Sequence, residues 1–129
     1  MGSVDQHGVV QAVGGVPRKI EGFYATCKAH GLTGRQGVTV PAANVRNLML
    51  DEEVVDAVRA GRFHVWAVKT IDEGIELLTG RRAGRRVNGS YPEGSVHGLA
   101  AARLSEYAER LRVFAETGLG VSEGGGRGR

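Results

Sequence analysis

Hydrophobic and polar residues are arranged along this chain in patterns that predict four helices separated by short strands. Apolar residues recur at spacings of three and four, which place them on one face of a helix, in four segments. These apolar positions are Ile20, Phe23, Tyr24 and Cys27, then Val54, Val55 and Val58, then Ile71, Ile75 and Leu78, and finally Leu104, Tyr107, Ala108, Leu111, Phe114 and Ala115.

Capping residues mark the ends of these helices. Proline is favoured at a helix start, where its missing N–H costs nothing, and glycine is favoured at the end. Thr70 and Glu73 form a capping box, in which each residue satisfies a free N–H of the first turn. The predicted starts are Pro17, Asp51, Thr70 and Ser95, and the predicted stops are Gly31, Gly61 and Gly80.

Short apolar runs between the helices predict strands. Residues 4–13 favour a hairpin around Gln6-His7-Gly8, and Val38-Thr39-Val40 is a short strand that Pro41 ends. Phe63 to Val68 is almost continuously apolar, so we expect a buried strand. Residues 80–94 have the composition of a loop. Helices that alternate with short strands predict an α+β fold with α/β-like layers.

The charge of the chain comes from a few arginines. Its 129 residues suit one domain or part of one, and the formal net charge is +3. Four arginines lie within residues 81–86 and two more at Arg127 and Arg129; without these six, 11 basic residues face 14 acidic ones. Nucleic-acid binding through residues 81–86 would be salt-dependent, but no aromatic side chain lies there, and we do not expect it.

Other features of the composition favour a cytoplasmic protein. Cys27 is the single cysteine, which excludes an intrachain disulfide, and its place on an apolar helix face suits a small core residue. The sequence contains no apolar stretch of transmembrane length and no signal peptide, so we expect no membrane contact. Residues 117–129 are rich in glycine and are expected to be disordered.

Lys19 is the strongest candidate for chemistry. It falls in the first turn of a predicted helix, directly after Gly14-Gly15. The partial positive charge of a helix N-terminus opposes an ammonium there, and burial would add to this, so the position favours a neutral amine that can accept a proton. The alternative is an exposed lysine whose stem lies along the helix.

The spacing of the residues does not match the other catalytic and binding motifs that we considered. A phosphate-binding loop needs glycine before its lysine and serine or threonine after it, whereas Arg18 and Ile20 flank Lys19. The histidines, at positions 7, 30, 64 and 97, have no metal-ligand spacing, and His64 suits a hydrogen-bonded core position. A Ser-His-Asp triad stays open, although no serine lies in a Gly-x-Ser-x-Gly elbow. We predict no metal-binding or cofactor-binding residues in this chain.

Many short segments, in order, resemble the proteolytic domain of the Lon protease family. They are residues 2–8, 13–16 and 19–23, then Gly31 to Gly34, Gln36 to Val38 and Pro41 to Val45, and finally residues 71–80 and 91–96. The agreement extends over roughly residues 2–114 and is closest to a Lon-like branch of the family.

The resemblance implies an ATP-dependent serine endopeptidase with a Ser–Lys dyad that cleaves peptide bonds in proteins. The lysine of the family lies in a Gly-Gly-Val-x-x-Lys turn, which corresponds to Lys19, and its neutral amine acts as general base for the serine hydroxyl. The family also implies hexameric rings and an upstream ATPase module that uses ATP and magnesium.

The sequence departs from the family pattern in three places, and these departures limit the activity that we expect of this chain. The family's nucleophilic serine lies upstream in a Gly-Pro-Ser motif that is absent here, and Ser3 is too close to Lys19 to replace it. Met1 stands where relatives have a threonine that supports the lysine, and Pro17-Arg18 replaces the Asn-Glu usual in this branch.

We therefore expect the C-terminal part of a Lon-like protease. Residues 1–116 are predicted to be a partial proteolytic domain, followed by the tail. The chain alone should be inactive and prone to aggregate, because sheet edges and apolar faces would be uncovered. The alternative is a catalytically inactive module that assembles into Lon-like rings.

Overall fold

The computed structural model describes residues 1–119 and contains two compact units, the first spanning Met1–Gly80 and the second beginning at Arg81. The described residues form four α-helices, one short 3₁₀ helix and four strands in two small sheets, which confirms a mixed α+β fold. In order these are β1 (Ser3–Val4), β2 (Val10–Gln11), α1 (Val16–His30), β3 (Gly37–Pro41), the 3₁₀ helix (Ala42–Asn47), α2 (Glu52–Arg59), β4 (His64–Val68), α3 (Ile71–Thr79) and α4 (Val96–Leu119).

The core of the first unit forms between α1, α2 and the strand pair. Fully or almost fully buried side chains line it: Val16, Ile20, Tyr24 and Cys27 from α1, Val54 and Ala57 from α2, and Val40 and Phe63 beside them. The ring of Phe63 meets that of Tyr24 edge to face at 5.3 Å, a favourable aromatic geometry. The predicted apolar face of α1 is confirmed except at Phe23, which is 44% exposed.

The predicted hairpin is present and is tied to a distant part of the unit. Strands β1 and β2 pair antiparallel, and the Asp5 carboxylate accepts the backbone N–H groups of His7 (2.8 Å) and Val9 (3.0 Å) in the turn. The N–H of Val10 then donates to the Lys69 carbonyl at 2.8 Å, and the N–H of Ile71 donates to the Gly8 carbonyl at 2.8 Å. These bonds fix the hairpin against the start of α3.

Strands β3 and β4 pair in parallel through a connection that contains α2. A Cβ on Gly37 would clash with the backbone oxygen of His64 and lie 2.6 Å from the Trp66 ring, which explains why glycine begins β3. The expectation that residues 63–68 are buried throughout is wrong, because Trp66 is 36% exposed and Ala67 is exposed. A strand in a two-stranded sheet has one open edge and less covering than a central strand.

The ends of α2 and α3 agree closely with the sequence. Thr70 caps α3 by accepting the Glu73 N–H at 3.3 Å, while the Glu73 carboxylate accepts the N–H of Lys69 at 2.6 Å, one residue earlier than in a standard capping box. Asp51 directly precedes α2, as predicted, but its side chain makes no capping hydrogen bond, which corrects that part of the expectation. Instead the Glu21 carboxylate accepts the Asp51 backbone N–H at 3.1 Å and fixes the chain from α1.

The second unit consists of an irregular loop and α4. Ser95 is buried and caps α4, since its hydroxyl accepts the Gly98 N–H at 3.1 Å, as predicted. The predicted apolar stripe of α4 is exposed rather than packed: Leu104 is 67%, Leu111 69% and Phe114 76% exposed. The helix continues to Leu119, so the predicted tail begins inside it, and residues 120–129 lie outside the described part of the chain.

Candidate active site

The turn before α1 contains a residue in the left-handed conformation that glycine adopts readily. Gly15 is the residue before the helix and adopts a left-handed conformation, with φ 68° and ψ 20°. That conformation costs an L-residue with a Cβ roughly 1–2 kcal/mol. No side chain caps this helix start, and the first turn contains no acidic residue. Its free N–H groups are therefore left to solvent or to a partner.

Lys19 lies at the end of this first turn. Its backbone N–H donates to the Gly15 carbonyl at 3.2 Å, so the left-handed residue and the lysine are joined by the first hydrogen bond of the helix. The Lys19 side chain is exposed, and within residues 1–119 it makes no hydrogen bond or ion pair. Among these residues the Lys19 side chain is therefore open to solvent, and any cover must come from other groups.

Asn44 of the 3₁₀ helix fixes the chain that leads into the turn. Its side-chain oxygen accepts the N–H of Val13 at 3.1 Å, and its side-chain nitrogen donates to the carbonyl of the same residue at 3.0 Å. The amide therefore pairs with Val13 as a neighbouring strand would. Because one face of the amide accepts and the other donates, only one orientation of the amide makes both bonds. We call this pair of bonds the Asn44 clamp.

Sequence reasoning did not assign a role to Asn44. It appeared only as one residue of the segment Pro41 to Val45 that resembles the Lon family. The signal that could have found it is the preference of asparagine for bonding backbone groups in turns. That preference does not identify the partner, which lies 31 residues earlier in the chain.

The remaining candidates for chemistry are spread over the structure. His64 is half-buried, its Nε2 lies 2.8 Å from the Gly34 carbonyl, and its ring stacks on Trp66, which confirms it as a hydrogen-bonded residue. The hydroxyl of Ser3 donates to the Gln11 side chain at 2.9 Å, across the hairpin. Groups of three or more potential metal ligands are not found within residues 1–119.

A cavity lined by both apolar and charged side chains lies on the other side of α1. It has a volume of about 420 Å³ and is lined mainly by α1 and by the start of α2. Lys28 and Glu53 form an ion pair at its wall, and the Tyr24 hydroxyl donates to the same carboxylate at 3.3 Å. The hydrogen bond with Lys28 lowers the pKa of Glu53, and the same bond raises the pKa of Lys28.

Comparison with known proteins places the chain among Lon-related sequences. No protein-family model matches it. The chain is 53% identical over 77 residues to the "Putative Lon protease homolog" of Escherichia coli (strain K12), a match that covers 60% of this chain and 13% of that protein. It is 48% identical over 80 residues to the protein of the same name in Haemophilus influenzae, covering 62% of this chain and 13% of that protein.

These matches define the relationship of the chain. It is homologous to the two Lon protease homologs over about 60% of its length, which confirms the resemblance to Lon proteases over a shorter stretch than the predicted residues 2–114. It spans about 13% of the length of each of these relatives. The described residues also contain no helix long and apolar enough to cross a membrane.

Proposed function

We propose that this chain supplies the general base of a Lon-like serine endopeptidase, and that Lys19 is that base. The neutral amine would take the proton of a serine hydroxyl as the serine attacks a peptide carbonyl, and would return it to the leaving amine. The serine lies in a segment of the protease outside this chain. Protein and peptide substrates, ATP dependence and a hexameric ring belong to the whole enzyme.

The position of Lys19 is the observation that carries the proposal. The Lys19 backbone is held by its hydrogen bond to the Gly15 carbonyl, yet its side chain is exposed and makes no ion pair among residues 1–119. Of the other two lysines, Lys28 is paired with Glu53, and Lys69 lies between β4 and α3, outside the Gly-Gly-Val-x-x-Lys turn. An amine that must approach a serine from another segment has to be held in place and left accessible, and Lys19 meets both conditions.

A chimeric protein tests this proposal. Residues 1–119 of this chain replace the corresponding part of the Escherichia coli homolog, and hydrolysis of casein and of a fluorogenic peptide is measured with ATP and magnesium. The unmodified homolog sets the reference rate. We expect Lys19→Ala to reduce kcat at least about 100-fold, the usual contribution of a positioned base. Lys69→Ala removes an equal charge from an exposed site and should leave kcat unchanged.

Two results would contradict the proposal. One is a Lys19→Ala chimera that keeps its activity. The other is a chimera that folds and hydrolyses ATP but has no peptidase activity even with Lys19 in place, since this chain could then not supply the base.

A second candidate function is assembly without catalysis. It is favoured by the exposed stripe of α4, where Leu104, Leu111 and Phe114 each leave more than half of their surface uncovered. An amphipathic helix face of this kind is typical of a contact surface. Sedimentation of the 129-residue chain tests this function, because a discrete oligomer should dissociate in Leu111→Glu and persist in Ala102→Glu, which adds the same charge to the opposite side of the helix.

A further inference from the structure

We propose that Asn44 is a positioning residue for the reaction: the Asn44 clamp holds the Gly14-Gly15 turn and thereby sets where the Lys19 amine can reach. This inference rests on the proposed role of Lys19 as the base. Asn44 does not touch the lysine side chain. Its effect passes through the backbone of Val13 and the turn.

The clamp is the polar anchor of the segment that precedes the turn. Val13 is bound by both backbone groups to one side chain, and after it Gly14 and Gly15 are exposed, with no atom within 4 Å of a Cβ built on either. Within residues 1–119, the space beside these two glycines is therefore open. The conformation of the turn is fixed from its two ends, by the Asn44 clamp on one side and by the burial of Val16 and Ile20 on the other.

Asn44 is itself held on a firm framework. It lies in the 3₁₀ helix that directly follows β3, and Pro41 at the junction is one of the fully buried side chains. Both Asn44 and Val13 are half-buried, so water competes less for their hydrogen bonds than it would at the surface. The Asn44 side-chain amide thus connects the β3–β4 pair to the segment that leads into α1.

Loss of the Asn44 clamp should affect the catalytic rate more than the stability of the fold. Hydrophobic burial of α1 keeps the helix in place without the clamp, because its apolar face is in the core. Loss of the clamp frees Val13 and the two glycines that follow it, and so loosens the Gly15 carbonyl that accepts the Lys19 N–H. A displacement of about 1 Å at a reacting group can lower a rate by as much as about 100-fold.

The test uses Asn44→Ala and the matched variant Asn47→Ala, which removes an exposed asparagine from the same 3₁₀ helix. In the chimera described above we expect Asn44→Ala to lower kcat about 10- to 100-fold with KM unchanged, and Asn47→Ala to leave both unchanged. A loss of activity that only follows the loss of folded protein, measured by thermal melting, would overturn the inference. Equal kinetics in the two variants would overturn it as well.

A second measurement separates this inference from the proposed function. Amide hydrogen exchange of the full chain, followed by NMR, should show faster exchange at Val13 in Asn44→Ala, with the core amides of α1 unchanged. If Lys19→Ala keeps full activity, the general-base proposal fails, and exchange at Val13 alone decides whether Asn44 holds the turn. Unchanged exchange at Val13 would overturn the clamp's role whatever the kinetics of Lys19 variants.

Discussion

Lys28 of α1 and Glu53 of α2 form an ion pair that joins the two helices at the wall of the cavity beside α1. Glu53 lies in the first turn of α2, where a negative charge also suits the helix N-terminus. The Tyr24 hydroxyl donates to the same carboxylate. The contact between α1 and α2 is therefore part apolar core and part charged surface, and only the second part depends on pH.

The first prediction concerns this pH dependence. The pKa of Glu53 is lowered in the folded chain, chiefly by its hydrogen bond with Lys28, so the pair stabilises the fold above the ordinary glutamate range and stops doing so as the pH falls through the lowered value. Glu53→Gln should reduce Tm slightly at pH 7, and the difference from the natural chain should vanish at low pH.

The control for that experiment is Glu52→Gln. Glu52 carries the same charge in the same turn but has no ion pair within the described residues. A pH-dependent difference of equal size in both variants would show that general charge, rather than the pair with Lys28, is responsible. The pKa of Lys28 is raised by the same bond, so the pair also weakens at strongly alkaline pH.

The second prediction concerns Gly37. A methyl group there would overlap the His64 backbone oxygen and the Trp66 ring, and the parallel pairing of β3 with β4 would have to shift. We expect Gly37→Ala to lower the free energy of unfolding by about 1–3 kcal/mol, as overpacked sites do. Gly22→Ala is the matched control, because nothing lies within 4 Å of its Cβ position in α1, and it should stabilise the chain by about 0.5–1 kcal/mol. Urea denaturation measures both.

The third prediction compares the two glycines of the turn. Gly15 has a positive φ and Gly14 does not, while neither Cβ position is crowded. Gly15→Ala should therefore destabilise the chain by roughly 1–2 kcal/mol through backbone strain alone, and Gly14→Ala should be nearly neutral. Chemical denaturation of the two variants checks this. A Gly14→Ala variant as unstable as Gly15→Ala would mean that the turn has another conformation.

The fourth prediction concerns the core. Phe63 is fully buried, with its ring against Tyr24, whereas Phe114 on α4 is 76% exposed. Phe63→Ala should cost about 3–5 kcal/mol, the usual range for a buried aromatic residue. Phe114→Ala should cost little within this chain. Thermal melts by circular dichroism distinguish the two, and equal losses would contradict the assignment of the core.

The fifth prediction concerns the chain alone. Because the Gly-Pro-Ser motif that would hold the proposed nucleophile is absent from the 129 residues, the isolated chain should hydrolyse neither casein nor a fluorogenic peptide. Turnover that survives Lys19→Ala and is lost on replacing a serine of this chain would contradict the proposed function.

Local signals in the sequence predicted most of the elements. The helical spacing of Ile20, Tyr24 and Cys27 identified the buried face of α1, and Thr70 and Gly80 marked the two ends of α3. These signals are reliable because they arise from hydrogen bonds and burial within a few residues of each other. The predicted position of Lys19, in the first turn after the glycines, was correct for the same reason.

Features that depend on distant partners were not predictable in this way. The exposure of Trp66 reflects how few strands lie beside β4, and the exposed stripe of α4 reflects which surfaces cover that helix; neither is encoded in the local pattern. The Asn44 clamp joins residues 31 positions apart, and asparagine is common in turns for many reasons. The bond between the Glu21 carboxylate and the Asp51 backbone N–H at the start of α2 also joins residues far apart in the chain, so the local pattern did not predict it.

The attachment of the hairpin has a consequence for the order in which the chain folds. Residues 8 and 10 bond to residues 69 and 71, so the first strands emerge from the ribosome long before the partners that secure them. A two-stranded hairpin is at best marginally stable on its own. We therefore expect strands β1 and β2 to become stable only after β4 and the start of α3 have been synthesised and can bind them.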